Sequence, residues 1–276
     1  MIRVDAHHHV WRIARGDYGW LTPGLPIHRD YLLDDLRPLL GDISATVLVQ
    51  AAATEAETAF MLDVAQNSAG LVRGVVGWTD FTHREAPARI AALAGKPLLK
   101  GMRPMLQDIA DTEWILHAET QPAIVALVAA GLRFDALVQP RHLPVVLRLY
   151  TRHPTLRLVI DHGAKPAIAA GGWQPWAADL ARVAAETPAL CKLSGLVTEA
   201  ARDWLVDDLR RYVDHIIACF GPDRVMWGSD WPVVNLAGGY ARWREATTTL
   251  LAALSKRERD AILGGTALKF YDLTKH

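Results

Sequence analysis

The chain has 276 residues, 51% hydrophobic and 22% charged, with 30 Lys+Arg set against 30 Asp+Glu for a formal net charge of zero. That balance supports a large core, and without a long basic or acidic run it excludes binding to nucleic acid or a membrane surface through bulk charge. The opening residues are polar and His-rich, not basic followed by a long apolar core, so no signal peptide is read there, and apolar runs such as 124–130 fall well short of a bilayer span.

Apolar, β-rich runs come at 2–6, 46–49, 72–78, 98–103, 132–138, 156–161, 190–193 and 224–228. Between most of them lie Ala- and Leu-rich amphipathic stretches, at 55–67, 86–93, 122–130, 143–152, 176–186 and 204–220, which read as helices. Eight strands with intervening helices predict parallel β/α units closed into a (β/α)8 TIM barrel of class α/β, which routinely occupies about 250 residues as one unit. No linker or compositional break divides residues 1–276, so a single domain is expected. Irregular segments at 11–30, 109–120 and 163–175 each follow a strand, which puts them on the site-bearing face of such a barrel. The tail, 255–276, reads as a helix over 256–263, a break at Gly264-Gly265 and a second short helix, with packing as its role. Cys191 and Cys219 sit in apolar surroundings that suit reduced core residues, and a cytoplasmic globular protein is expected.

The most informative stretch closes the first strand: Val4-Asp5-Ala6-His7-His8-His9-Val10-Trp11. Alternate strand residues share a face, so His7 and His9 project together and His8 points away. Two imidazoles so placed can hold a divalent metal or handle protons. The competing reading is a run of polar residues leaving a strand, or the remnant of a tag. It sits badly with three histidines inside an otherwise apolar segment that resumes at once.

Catalytic side chains of a β/α barrel stand at the C-terminal ends of different strands. Those ends supply His7 and His9, Gln50, Trp78, Arg103, Gln139 with His142 nearby, His162, Ser194 and Asp230. Each has a structural alternative: His162 as a satisfied core residue, Asp230 as a helix cap, Arg103 in an ion pair, Trp78 filling the barrel, Gln50 bonded to backbone. The weight lies in the set. Asp161 alternates with His162 and is expected to face the helix layer. Lys165 and Lys192 are left without a role, because register alone does not say which way Lys192 points, and nothing suggests the desolvated site a Schiff-base lysine needs. Of the ten tryptophans, Trp11, Trp20 and Trp173 lie on mouth-side loops where sugar stacking is expected.

With these residues in place the chain resembles the amidohydrolase superfamily, in its amidohydrolase-2 branch, through the His-x-His of strand one, the His after strand six and Trp227-Gly228-Ser229-Asp230-Trp231-Pro232 on strand eight. Lys100-Gly101-Met102-Arg103-Pro104, residues 159–166 and Cys191-Lys192-Leu193-Ser194-Gly195-Leu196 are similar to the sugar-lactonase group of that branch. That group includes L-fuconolactonase- and L-rhamnonolactonase-like enzymes, with pyrone-dicarboxylate lactonases as relatives. The resemblance implies hydrolysis of an aldonolactone, with L-fuconolactone or a related deoxy- or galacto-configured lactone as the best candidate. Binuclear members carry a bridging Lys or Glu at the end of strand four, where this chain has Arg103. The strand-five histidine ligand is also missing, since the strand ends at Val138-Gln139. One divalent ion, zinc first, is therefore expected at most, with His7, His9, His162 and Asp230 as its candidate ligands, and a strict need for it is not.

Hydrolysing a lactone needs an activated water on one side of the carbonyl and charge stabilisation on the other. Asp230 is the candidate base, with His7, His9 and His162 polarising the carbonyl directly or through one metal. Gln50, Arg103, Gln139 and His142 supply donors and acceptors for hydroxyls, and Trp78 or Trp231 covers the apolar ring face. Arg103 is expected at the pocket rim. Two other readings stand beside this one: a metal-dependent non-oxidative decarboxylase on the same fold, and an idle barrel used for binding. The partner is a small-molecule sugar lactone, not nucleic acid or membrane, and a homo-oligomer is left open.

Overall fold

Eight strands form one sheet in which each pairs in parallel with the next along the chain. They are β1 (Arg3–His8), β2 (Ile43–Val49), β3 (Val72–Gly77), β4 (Leu99–Met102), β5 (Arg133–Ala136), β6 (Arg157–Ile160), β7 (Leu190–Leu193) and β8 (Val225–Trp227). The last strand returns to the first at its C-terminal end, where Asp230 N donates to His7 O (2.8 Å) and His9 N donates to Trp231 O (2.7 Å). The computed structural model describes residues 2–273 and is a (β/α)8 barrel. The last three residues of the expected tail lie outside the described part.

Helices alternate with the strands, α2 to α7 where the periodicity predicts them: α1 (Leu33–Leu36), α2 (Glu55–Gln66), α3 (Ala86–Ala94), α4 (Gln121–Ala129), α5 (Leu143–Arg152), α6 (Trp176–Glu186), α7 (Val206–Phe220) and α8 (Gly239–Leu250), then α9 (Lys256–Asp260) and α10 (Thr266–Phe270). In α7 the buried residues are Leu209, Tyr212, Val213, Ile216 and Phe220, one stripe at helical spacing laid on the sheet. Thr54 caps α2 by accepting from Glu57 N at 3.1 Å. Sequence reading did not anticipate α8, because its Gly239 start and the Thr247-Thr248-Thr249 run carry poor helix propensity. Its formation rests on tertiary packing, with Trp243 fully buried and donating to Gly228 O at 3.0 Å. Trp204, expected inside α7, precedes it and donates to Ala237 O.

Alternation along the strands decides what fills the barrel. Val4, Ala6, Ala45, Val47, Val49, Val76, Val159 and Met226 meet in one interior cluster drawn from five strands, closed at its floor by Ala267, Tyr271 and Leu273. The tail therefore does more than pack against the outside. Arg133 Nε donates to Phe270 O (2.6 Å) and Lys100 Nζ to Asp272 O (3.1 Å), pinning the segment across the barrel bottom.

Strict alternation from Val4 and Ala6 would carry His8 inward. The register prevents this: Asp5 faces Thr46 while His8 faces Leu48, so three steps on β1 match two on β2. One extra residue re-aims the strand, as a bulge does. His8 consequently bonds Thr46 Oγ1 at 2.9 Å, and His7 and His9 turn into the barrel mouth.

Closure at that seam depends on Gly228. A Cβ there would come within 2.6 Å of His7 Cβ and 3.0 Å of His7 N, which is backbone that cannot yield cheaply. Gly228→Ala should lower the unfolding free energy by about 1–3 kcal/mol, the usual cost of overpacking, and displace His7. Urea titration checks the first effect, and an unchanged midpoint would show that the seam has slack.

Candidate active site

His7, His9, His162 and Asp230 converge at the C-terminal mouth although they come from three strands. Asp230 Oδ1 lies 3.3 Å from His9 Nε2, 3.7 Å from His7 Nε2 and 3.9 Å from His162 Nε2. All four side chains are buried. Two of them sit on left-handed backbone, His162 at φ 55° and Asp230 at φ 58°. That conformation costs a non-glycine residue roughly 1–2 kcal/mol, and here it is held by Asp230 N on His7 O and by Lys165 N donating to His162 O. A Cβ on Gly195 would fall 2.4 Å from His162 Nδ1, so only glycine leaves room for the ring.

The imidazoles are oriented from behind. His9 Nδ1 bonds Val49 O at 2.8 Å, and a carbonyl can only accept. A neutral ring would then turn its Nε2 lone pair to the Asp230 carboxylate, whereas a ring with both nitrogens protonated donates to it at 3.3 Å. His162 Nδ1 meets Ser194 Oγ at 2.9 Å. Burial pushes His162 down to about 4, against the upward pull of Asp230 and Asp161. Burial, then the Lys192 ammonium, holds His7 well below its ordinary value. Burial also works to raise Asp230, but His162, the His9 bond and His7 outweigh it and put the carboxyl below the usual range. At neutral pH those two histidines are uncharged, and Asp230 beside them is an ionised carboxylate.

Beneath them lies a charged layer that the sequence reading missed. Lys192, fully buried, points into the barrel with Nζ 2.6 Å from Asp135 Oδ2, 3.0 Å from Asp161 Oδ1 and 3.1 Å from His7 Nδ1. Tyr271 donates to the same Asp135 oxygen at 2.6 Å. Asp161, expected in the helix layer, faces inward instead, because Val159 below it is an interior residue and alternation carries Asp161 to the same side. The site around Lys192 is desolvated after all, but its ammonium is held between two carboxylates. The available signal was a charged residue in mid-strand between apolar neighbours, Phe134-Asp135-Ala136 and Cys191-Lys192-Leu193.

Arg103 is buried, not at the rim. Its guanidinium donates to Gln50 O and Gln50 Oε1 and lies 3.4 Å from Asp161 Oδ2, while Nε has no partner. Gln50 returns its amide to Arg103 O at 3.0 Å, so both ends of that side chain serve the arginine. Above the cluster opens a cavity of about 400 Å³ lined by His9, Arg103, His162 and Asp230, with Trp20, Met105, Gln107, Asp108, Lys165, Glu199 and a set of aliphatic side chains. Lys165 pairs with Glu199 at 2.6 Å. Gln107, Asp108 and Glu199 come from loops whose folding no periodicity announces.

The other predicted residues stand apart from that cavity. Trp78 lines an adjoining one that shares Trp20, Ala51, Met105 and Asp108. His142 Nδ1 accepts from Gln139 N at 3.1 Å, which makes the pair a helix cap. Trp231 is buried edge-on against Tyr31. Among the loop tryptophans, Trp11 is buried against Tyr18, Trp20 and Tyr31, and Trp173 packs on Trp176 and Tyr212. Only Trp20, 37% exposed, reaches the cavity.

The donor set fits one divalent cation. His9 Nε2 and the Asp230 carboxylate lie 3.3 Å apart, and with Nδ1 bonded to Val49 O a neutral His9 presents a lone pair there, which asks for a cation or proton between them. His7 Nε2 is buried without a hydrogen-bond partner beside them. His7, His9 and Asp230 bring ligand atoms within 4.8 Å of one another, as do His7, Asp161 and His162.

Residues 4–273 match the family model described as amidohydrolase. The chain is 43% identical over 282 residues to an L-fucono-1,5-lactonase of Burkholderia ambifaria, covering 99% of this chain and 96% of that protein. It is 39% identical over 295 residues to an L-fucono-1,5-lactonase of Burkholderia multivorans, with the same coverage. A crystal structure of an amidohydrolase from Burkholderia multivorans with bound zinc superposes at TM-score 0.92 with 39% identity, covering 99% of this chain and all of that one.

Arg103→Met should reduce turnover and also destabilise the fold by roughly 3 kcal/mol. That is the lower end for removing one partner of a buried pair, since Lys192 still faces Asp161. Denaturant titration beside kinetics checks both, and a variant of unchanged stability would mean that Arg103 is solvated.

Proposed function

The chain belongs to the amidohydrolase family, and on that footing we propose that it hydrolyses a neutral sugar lactone, L-fucono-1,5-lactone or a closely related aldonolactone, to the aldonic acid. It is a carboxylic ester hydrolase on this reading, acting on a small molecule in the cytoplasm. The observation that carries the reading is the convergence of one ionised carboxylate and three imidazoles beside a cavity of sugar size. Whole-length similarity to two L-fucono-1,5-lactonases supports the substrate class.

Asp230 takes a proton from water as the oxygen attacks the ester carbonyl carbon. The carbonyl oxygen gains negative charge, and Arg103 with the imidazole N–H groups stabilises it in a site screened from water. The C–O bond to the ring oxygen then breaks, and Asp230 returns its proton to that oxygen as it leaves. The product is an open-chain hydroxy acid that ionises at neutral pH. His9 and His162 hold Asp230 in place and, with His7, keep its carboxyl ionised against the opposing effect of burial. One divalent ion held by His9, Asp230, His162 or His7 would polarise the carbonyl and acidify water. Zinc is the first candidate.

Cavity charge favours a neutral substrate. Two cations, Arg103 and Lys165, are set against three carboxylates, Asp108, Glu199 and Asp230, and both cations are already paired. A decarboxylase or a dicarboxylate hydrolase needs free cations for its substrate. Leu25, Met105, Leu137, Val233 and Leu236 give the cavity an apolar wall that suits the methyl of a deoxy sugar.

A panel of aldono-1,4- and 1,5-lactones with a pH indicator tests the reaction: acid release from a subset of neutral lactones is expected, and release of carbon dioxide from aromatic acids alone would refute it. Asp230→Asn should cost at least about 10²-fold in kcat/KM, the low end for general acid–base catalysis, with little change in Tm. A near-normal rate would remove Asp230 from the chemistry.

Activity needs Asp230 ionised and His162 neutral, and acidification ends both. With Asp230 below the usual range and His162 near 4, wild-type kcat/KM should stay level from about pH 8 to about pH 5 and fall only below that. A fall centred above pH 6 would contradict this assignment. Exhaustive chelation should leave substantial activity, because the chain's own donors face the carbonyl. Complete loss restored by stoichiometric zinc would make the ion essential.

A further inference from the structure

We propose that Lys192 is a positioning residue that locks His7 in the tautomer carrying its proton on Nε2, so that His7 serves as a hydrogen-bond donor to the lactone carbonyl and not as a metal ligand. The argument begins with what an ammonium can do. It has three donors and no acceptor, so the 3.1 Å contact between Lys192 Nζ and His7 Nδ1 requires Nδ1 to accept. Two carboxylate oxygens pair with the same nitrogen, Asp135 Oδ2 at 2.6 Å and Asp161 Oδ1 at 3.0 Å. The one carboxylate that could take a proton from His7 Nδ1 is Asp161, whose Oδ1 lies 3.6 Å away, beyond hydrogen-bond reach.

A neutral imidazole has one N–H. With Nδ1 accepting, the proton is on Nε2, the atom that faces the Asp230 side of the site and has no partner of its own. A buried N–H left open in the ground state is what an incoming carbonyl oxygen can use, and its bond strengthens as that oxygen gains charge. The same tautomer removes the Nε2 lone pair that a cation would need. His9 is set the opposite way, since its Nδ1 donates to Val49 O, which in a neutral ring leaves Nε2, 3.3 Å from Asp230 Oδ1, as the nitrogen without a proton. Two histidines two residues apart are thus assigned opposite roles by what stands behind them: an ammonium for His7, a carbonyl for His9. A ligand histidine is ordinarily backed by an acceptor, and His7 is backed by a donor.

The tautomer is independent of the lactonase reading; only the use of the N–H rests on it. Two-bond proton–nitrogen correlation spectra of the metal-free wild-type protein, labelled in its histidines, test it directly. Resonances lost in His7→Gln identify the ring. Nδ1 unprotonated and Nε2 protonated is the expected pattern, and a proton on Nδ1 overturns the proposal whatever the activity.

Zinc titrations against a chromophoric chelator provide a second arm. Lys192→Met is paired with Asp135→Asn so that one positive and one negative charge leave the interior together. This double variant should bind zinc more tightly than wild type by about tenfold or more, the low end of what groups behind ligands are worth. His7→Gln should then weaken zinc binding in the double variant and leave it nearly unchanged in the wild-type background. Equal loss in both backgrounds would make His7 an ordinary ligand and sink the idea. The spectra decide the matter if the double variant fails to fold.

Discussion

A lysine buried between two aspartates inside a β-barrel is the constraint on which the rest of this structure depends. Charges are costly to bury unless paired and hydrogen-bonded, and losing one partner of such a set is far worse than losing all of it. Asp135, Asp161 and Lys192 come from three consecutive strands, β5, β6 and β7, and meet only if every register among them is correct. A slip by one residue would send Lys192 into the apolar layer under the helices. Burial and the charge of Asp161 push Asp135 up, opposed by Lys192. Burial also works to raise Asp161, but Lys192, His7 and Arg103 outweigh it and hold that carboxyl well below its usual range. The asymmetry leaves Asp161 as the firm anion to which both Lys192 and Arg103 are tied.

What stands on that layer is aimed by departures from regular backbone. A bulge on β1 turns His7 and His9 inward where plain alternation would have sent His8, and left-handed residues at His162 and Asp230 bring those side chains to the same point. Two of the four converging residues, His162 and Asp230, thus sit on backbone that costs a non-glycine residue, the kind of strain that collects at functional sites. Charge then works on the products. On the proposed reading an ester enters uncharged and leaves as an anion beside Asp108, Glu199 and Asp230, so the environment that admits the substrate repels the acid it becomes.

The fold was legible because period and spacing carry it. All eight strands appear within about two residues at most ends, and α5 and α6 have the expected bounds. The His-x-His, His162 and Asp230 were legible because strand ends in a barrel share one face. Asp161 was misplaced and Lys192 left undecided for a single reason: two-residue alternation says that neighbours oppose each other but not which of them faces in. Arg103 looked like a rim residue because a charged side chain at a strand end has no visible partner in sequence, and its partners, Gln50 and Asp161, directly follow β2 and β6. Gln139 and His142, similarly, offered chemistry by type and turned out to satisfy one another. The helix α8 hid behind glycine and threonine, whose weak propensity is overridden by the burial of Trp243.

Tyr271 closes the barrel floor and shares an oxygen of Asp135 with Lys192, and this has a consequence for how the chain is made. On a ribosome, Asp135 emerges 57 residues before its lysine and 136 before its tyrosine. Through that interval the carboxylate must stay hydrated, so the half-built barrel has to keep water inside it and cannot dry to a finished interior. Drying, and with it the setting of the histidines above, awaits the segment that is translated last. Early strands can pair as they appear, but the charged layer and the histidines above it are set in one late event, so a stalled or shortened chain keeps a wet centre.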